Sequence, residues 1–537
     1  MSLARLVLEQ AARTPDAVAL VAGHGAELTY GELRRQVLAV RHGLAEAGLE
    51  PGDGVLFSVR PSPESLVLAL GAFAAQGTVV FADPGAGPEM FAARMNLARP
   101  RWSAAESVLY AASRSRLARS YARRRGLLLP DLSKLRIPTG LEGGSDVHVE
   151  SAKVRHIYAG RWLPGVPRGA ISLTDLMRGP APEPDVYGPP HDPAAVIFTS
   201  GTTARPRAVV HTGASLASAL ELLRTRLPLG PGDIVHTDQL MFGLPTLISG
   251  ARWSMPPLFC KPQTFLRQLH ERRATHTFCV PVHLAELLDH VDRHAGLPEH
   301  LRYVLLGAAP APAGVLRRAR AAAPRAEVLS VYAMTEILPV AIASAAEKLA
   351  HTESGAEGDL LGTPLTGVAA TLAEDGELLL AGPNLCGGYL GDPPIERLPT
   401  GDLARLDDEG RIILMGRKKD MLIRGKFNLY PGLYEPAIAA LEGIGEAAIV
   451  GIPDSETGDE EVVLAVTRAT GEPDPRPSEL VERLLVERLR RTLPDVIDAD
   501  ALPDRIVVLP ELPRSGRGRK LDRAELRELV LPGRGKG

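Results

Sequence analysis

Thr199-Ser-Gly-Thr-Thr-Ala-Arg-Pro-Arg-Ala-Val209 follows the apolar run Ala194–Phe198. Short hydroxylated residues around a glycine make a loop whose backbone N–H groups and hydroxyls can wrap an anion closely. Thr199, Ser200, Gly201, Thr202, Thr203 and Arg207 are therefore candidate phosphate-binding residues. No Gly-Lys-Ser/Thr closes the run, so it is not a Walker loop. Tyr332-Ala-Met-Thr-Glu336 lies at the end of the strand-like run Val328–Tyr332. A carboxylate beside a hydroxyl at a strand end suits Mg2+ and a phosphate oxygen, which singles out Thr335 and Glu336. Asp402 in Thr400-Gly-Asp402 could accept both hydroxyls of a diol. Gly307-Ala308 closes the strand-like run Val304–Leu306 in a tight small-residue turn. Two basic segments follow, one around Arg417 to Gly425 and one around Arg519-Lys520. Each signal alone has a plainer reading: a turn, a helix cap or a solvated basic face.

The elements that must position these residues read as α/β. Leu33, Val37, Val40 and Leu44 predict a helix over Leu33–Ala47 that stops at Gly48. Val55–Val59 and Val79–Ala82 read as strands, and Glu64–Ala75 as a helix. Ser113–Arg125 carries six arginines and reads as an amphipathic helix with a solvated basic face. After Gly416–Asp420 the chain has its own β/α pattern: strands at Ala447–Ile452, Glu461–Val466 and Arg505–Leu509, and a helix over Ser478–Leu493. The expected division is a domain over 1–418 and a smaller one over 419–537.

With 537 residues, 45% hydrophobic and 23% charged, the composition is that of a soluble globular protein with more than one core. A formal net charge of −3 gives no whole-chain reason to expect nucleic acid or an anionic membrane as partner. Cys260, Cys279 and Cys386 lack metal-site spacing and read as buried thiols. No signal peptide or long apolar span is evident, so the expected location is cytoplasmic.

In series, these segments resemble the adenylate-forming superfamily of acyl-CoA synthetases, luciferases and peptide-synthetase adenylation domains. The loop from Thr199 resembles its phosphate signature, with Ala204 and Ala208 in place of glycine and Arg207 in place of lysine. Tyr332–Glu336 is similar to its Tyr-Gly-x-Thr-Glu, and Gly416–Pro431 to its hinge motif. Leu512–Arg523 resembles its C-terminal lysine motif. Counted back from Arg523, Lys520 holds the lysine position; counted forward, Arg519 does. Asp83–Gly87 and Thr335–Ala341 look like the olefin-pathway β-lactone synthetase branch.

The resemblance implies a large N-terminal domain of several sheets and helices, and a small mobile α+β C-terminal domain. It implies an acid–thiol ligase using ATP, Mg2+ and coenzyme A, with a carboxylic acid or acyl-adenylate as substrate and AMP as product. Glu336 would hold Mg2+. Gly307, Ala308 and Tyr332 would flank the nucleotide, Asp402 and Arg417 its ribose, and Gly425 lies in the hinge segment. Lys520, with Glu336 and Thr335, would serve adenylation. The altered loop predicts a slowed or lost ATP step, because a methyl crowds backbone that approaches phosphate and arginine is not equivalent to lysine. Three alternatives to a full acyl-CoA ligase stay open: a ligase using only preformed acyl-adenylate, a β-lactone synthetase, and a non-catalytic AMP-binding protein.

Overall fold

A computed structural model describes residues 3–82, 88–119, 131–138, 151–184, 192–198, 207–257, 260–291, 296–420, 422–424, 427–429, 431–453, 460–469, 478–497, 501–515 and 519–531. Two large sheets form the body. One has thirteen strands, with a parallel centre made by Ile234–His236, His276–Cys279, Tyr303–Leu306 and Glu327–Tyr332. Beyond Tyr332 it turns antiparallel through Ala341–Ser344, Asp359–Pro364, Ile412–Arg417 and Leu398–Leu406. The second has eight strands and includes Gly388–Tyr389, Ala208–Thr212, Pro193–Phe198 and Thr78–Phe81. Parallel strands need helical crossovers, and the helices between them cover the sheets with the apolar residues of the main core.

The first long helix spans Tyr30–Glu46 and starts three residues before the expected Leu33. Thr29 caps it, accepting from the backbone N–H of Glu32 while the Glu32 carboxylate accepts from Thr29 in return. Tyr30 is wholly buried and its hydroxyl donates to the carbonyls of Leu247 and Ala251, which ties this helix to the body. The expected strand and helix at Val55 and Glu64 fall at Gly54–Ser58 and Pro63–Ala74, and the strand at Val79 falls at Thr78–Phe81. The basic stretch expected as one helix is interrupted at Ser115, and residues 116–119 are helical again. A helix runs over Ser107–Arg114 and ends where Ser115 turns extended. Tyr121 lies outside the described residues. Cys279 and Cys386 are buried, whereas Cys260 is partly exposed.

The thirteen-stranded sheet gives up the chain at Arg417, and a single helical turn, Lys418–Asp420, leads out of it. From there the chain builds a three-stranded sheet from Ile444–Pro453, Glu460–Arg468 and Arg505–Leu509, the last pair parallel. Ser478–Thr492 is the helix expected there. The apolar clusters of this part draw only on residues from Leu422 onward. This is the α/β architecture with a small α+β C-terminal part that the sequence predicts. Among the described residues no helix is long and apolar enough to cross a membrane.

Candidate active site

Strand Glu327–Tyr332 ends at the carboxyl edge of the parallel sheet, where ligands of such sheets bind. Gly307, one strand over, sits where an added Cβ would meet the Phe278 ring at 3.1 Å and the Val331 carbonyl at 3.3 Å. Ala308 after it is left-handed at φ 67°, a conformation that costs a non-glycine residue energy. The pair therefore makes a sharp exit from the strand beside Tyr332.

Two chains of contacts leave this edge. In the first, the Tyr332 hydroxyl donates to Asp402 Oδ2 at 2.7 Å, and Arg417 Nε lies 2.9 Å from Asp402 Oδ1. Asp402 and Arg417 face each other directly across antiparallel strands, so sheet register sets their ion pair. The Asp402 side chain is 2% exposed. Burial, then the Asp402 charge, pushes the Tyr332 phenol up, so it stays a donor. Two oxygens carry about four lone-pair positions, so Asp402 keeps acceptor capacity after these bonds.

In the second, the Tyr389 hydroxyl donates to Glu336 Oε1 at 2.9 Å, and the Arg207 guanidinium stacks on the Tyr389 ring 3.8 Å from its centroid. Cys386 N–H donates to the Glu336 carbonyl at 2.8 Å. His211, wholly buried, places Nε2 2.7 Å from the Thr335 carbonyl oxygen. That oxygen can only accept, so Nε2 carries the proton. Burial drives the His211 pKa down, so the ring is neutral. His211 belongs to a strand of the second sheet and Thr335 to the connection between Glu327–Tyr332 and Ala341–Ser344 of the first, so this bond ties the two sheets together at the site.

Thr199, Ser200, Gly201, Thr202 and Thr203 lie outside the described residues, as do Ala204 and Gly425. The strands on either side are described: Phe198 pairs with Ala208, which places Arg207 at the exit of the hairpin loop. Ala208 is 1% exposed and packs with Val80 and Val196. Its methyl therefore fills core, and one of the two alanines expected to crowd a phosphate does not face one.

The C-terminal motif is anchored by Arg523. Its guanidinium bridges both Glu435 oxygens at 2.7 and 2.8 Å, donates to the Ile449 carbonyl at 2.8 Å and lies 3.4 Å from Asp420. Lys520 is exposed in the two-residue strand Lys520–Leu521. Arg519 is left-handed at φ 46° and pairs with Glu286 of helix Pro281–Val291 at 3.1 Å. The structure thus brings Thr335, Glu336, Tyr332, Asp402, Arg417 and Arg207 to one edge. Tyr389 and His211 are the members that sequence reading missed. The segment Gly388–Pro393 carried a signal, a tyrosine after two glycines, but gave it no partner.

Residues 7–390 match the AMP-binding enzyme family, and residues 434–519 match the C-terminal domain of AMP-binding enzymes. A methyl-dioxo-octahydroindenyl propanoyl:CoA ligase from Rhodococcus jostii is 30% identical over 286 residues, covering 50% of this chain and 54% of that protein. The chain thus spans about half the length of that relative. A medium/long-chain-fatty-acid–CoA ligase from Mycobacterium tuberculosis is 28% identical over 392 residues, covering 68% of this chain and 67% of that protein. The structure of an amide bond synthetase from Marinactinospora thermotolerans superposes with a TM-score of 0.77 at 24% identity, covering 98% of each chain.

Proposed function

The chain belongs to the AMP-binding enzymes of the adenylate-forming superfamily, and from that premise we propose that it is an acyl-CoA ligase performing both half-reactions. A carboxylate oxygen of the acid attacks the α-phosphorus of ATP, the bond to pyrophosphate breaks, and acyl-adenylate forms. The thiol of CoA then attacks the acyl carbon and AMP leaves. The observation that carries this reading is the Tyr332–Asp402–Arg417 network at the strand edge, a diol acceptor beside a cation. The sequence relatives being acid–CoA ligases supports it.

In this reading Gly307, Ala308 and Tyr332 flank the base, and Asp402 takes ribose hydroxyls while Arg417 fixes its carboxylate. Thr199, Ser200, Gly201, Thr202, Thr203 and Arg207 hold the β- and γ-phosphates. Glu336 would hold Mg2+. The Glu336 carboxylate keeps Oε2 beyond the bond it accepts from Tyr389, which fits an ion that needs one or two carboxylates plus substrate phosphates. Bound there, Mg2+ would offset charge on the phosphate oxygens. Thr335, whose backbone carbonyl accepts from His211, precedes Glu336 in the chain and would serve the phosphate oxygens. Lys520 bridges carboxylate and α-phosphate. Arg523 fixes the motif register, and Lys520 stands three residues before it, as the family pattern requires. Arg519, already committed to Glu286, is the weaker candidate. Residues 419–537 move between the two half-reactions.

An impaired adenylation step loses one of its reasons with Ala208 in the core. No observation at the site favours ring closure to a β-lactone over thioester formation. The test supplies ATP, CoA and a panel of acids, with β-hydroxy acids among them, and identifies products by mass. Acid-dependent pyrophosphate exchange and CoA thioester are expected. A thioester formed only from synthetic acyl-adenylate would select the one-step ligase. A lactone would select the alternative branch.

A further inference from the structure

We propose that Tyr389 is a positioning residue that holds Arg207 and Glu336 in one arrangement, making a stacked arginine this chain's grip on the triphosphate end of ATP. The inference rests on the adenylating reading above. It starts from how firmly Tyr389 is placed. Gly388–Tyr389 is an edge strand paired antiparallel with Val209–Val210. Gly387 N–H donates to the Val210 carbonyl and Leu390 N–H to the Ala208 carbonyl, both at 2.8 Å. The ring is thereby fixed against the strand that leaves the phosphate loop.

From that position the two ends of the side chain do different things. The ring face takes the Arg207 guanidinium at 3.8 Å. Face-on stacking uses the π surface of the cation and leaves its in-plane N–H donors pointing sideways, available to phosphate oxygens. The hydroxyl donates to Glu336 Oε1 and leaves Oε2 to other partners. Burial and the Glu336 carboxylate raise the Tyr389 phenol, so it remains a donor throughout the working pH range. Among the described residues no carboxylate pairs with Arg207.

This arrangement changes the meaning of arginine at position 207. Read in sequence, arginine replaces a compact ammonium and looks like a loss. Against the Tyr389 face, a planar guanidinium is held by stacking that an ammonium on a flexible stem matches poorly. Arg207→Lys in this chain therefore weakens the grip.

Calorimetric titration of Mg·ATP and of AMP tests this without knowledge of the acid. Arg207→Lys and Tyr389→Leu are each expected to weaken ATP about tenfold and AMP less than about twofold. The double variant is expected to bind ATP no more weakly than the worse single variant, because both remove one stack. Tyr389→Phe keeps the ring and is expected to hold ATP within about threefold, while raising the Mg2+ concentration at which ATP binding saturates. Melting curves of all variants separate these effects from misfolding. Wild-type or tighter ATP binding by Arg207→Lys, or additive losses in the double variant, would overturn the proposal while AMP binding persists. If the wild type binds neither nucleotide, the adenylating reading itself falls.

Discussion

At the scale of single residues, the C-terminal motif poses the sharpest question, since Arg519 and Lys520 are adjacent and only one can be the adenylating cation. Arg523, buried between Glu435 and Asp420, is a fixed point that supports counting back to Lys520. Lys520→Ala is expected to lower acid-dependent pyrophosphate exchange at least about a hundredfold, on the order of 2.7 kcal/mol in the transition state. Thioester formation from supplied acyl-adenylate should change only a few-fold. Arg519→Ala should lose little of either. Equal loss of both half-reactions in Lys520→Ala would reject its assignment. Much of this edge was legible in sequence because Tyr332, Thr335, Glu336, Asp402 and Arg417 stand in segments that resemble the family's motifs in their order. Tyr389 and His211 were not. Each acts through a partner more than 50 residues away, at |i−j| of 53 and 124, and only the pairing of sheets brings them there.

At the scale of elements, the sequence revealed periodicity better than it revealed ends. The helix at Tyr30–Glu46 was read from Leu33 because its apolar stripe begins there. Its true start is set by the Thr29–Glu32 capping box, which periodicity does not weigh. In the basic stretch the apolar spacing does not show the break at Ser115, where the backbone turns extended before residues 116–119 become helical again. The central strand Ile234–His236 carries a testable liability. His236 is wholly buried, with Nδ1 2.8 Å from Ser254 Oγ, and its Nε2 has no hydrogen-bond partner among the described residues. Burial, and next the Arg272 charge, push its pKa down to about 3. An unfolded histidine titrates near 6.5. Between those values the unfolded chain binds a proton that the folded chain does not, so stability falls as pH drops from about 6.5 toward 3. The contribution is full above pH 6.5. The slope for one such proton is about 1.4 kcal/mol per pH unit. Chemical denaturation of His236→Gln between pH 7 and 4.5 should show a slope smaller by up to that amount. An unchanged slope would mean that the site stays neutral for another reason or opens before it titrates.

At the scale of the whole molecule, strand Pro193–Phe198 and Lys520 belong to parts with separate apolar cores, joined through the turn Lys418–Asp420. Arg519–Glu286 is an ion pair between them, and both side chains are about half exposed. Such pairs contribute roughly 0–1 kcal/mol, so this one can bias the arrangement of the two parts but cannot lock it. Glu286→Gln should therefore shift the ratio of adenylation to thiolation rates by less than about fivefold and leave the melting temperature unchanged. Stopped-flow comparison of the two half-reactions measures it, and a shift beyond tenfold would show that the contact does more than bias. The self-contained core after Leu422 also bears on how the chain could be rebuilt. A graft made in the turn after Arg417 would exchange the lysine-bearing part without cutting through either apolar cluster. Such a graft carries Lys418 and Arg519, so the recipient would need to keep Asp375 and Glu377 for the first and Glu286 for the second. Interchange of such parts between relatives then becomes a matter of matching a few surface charges rather than repacking an interior.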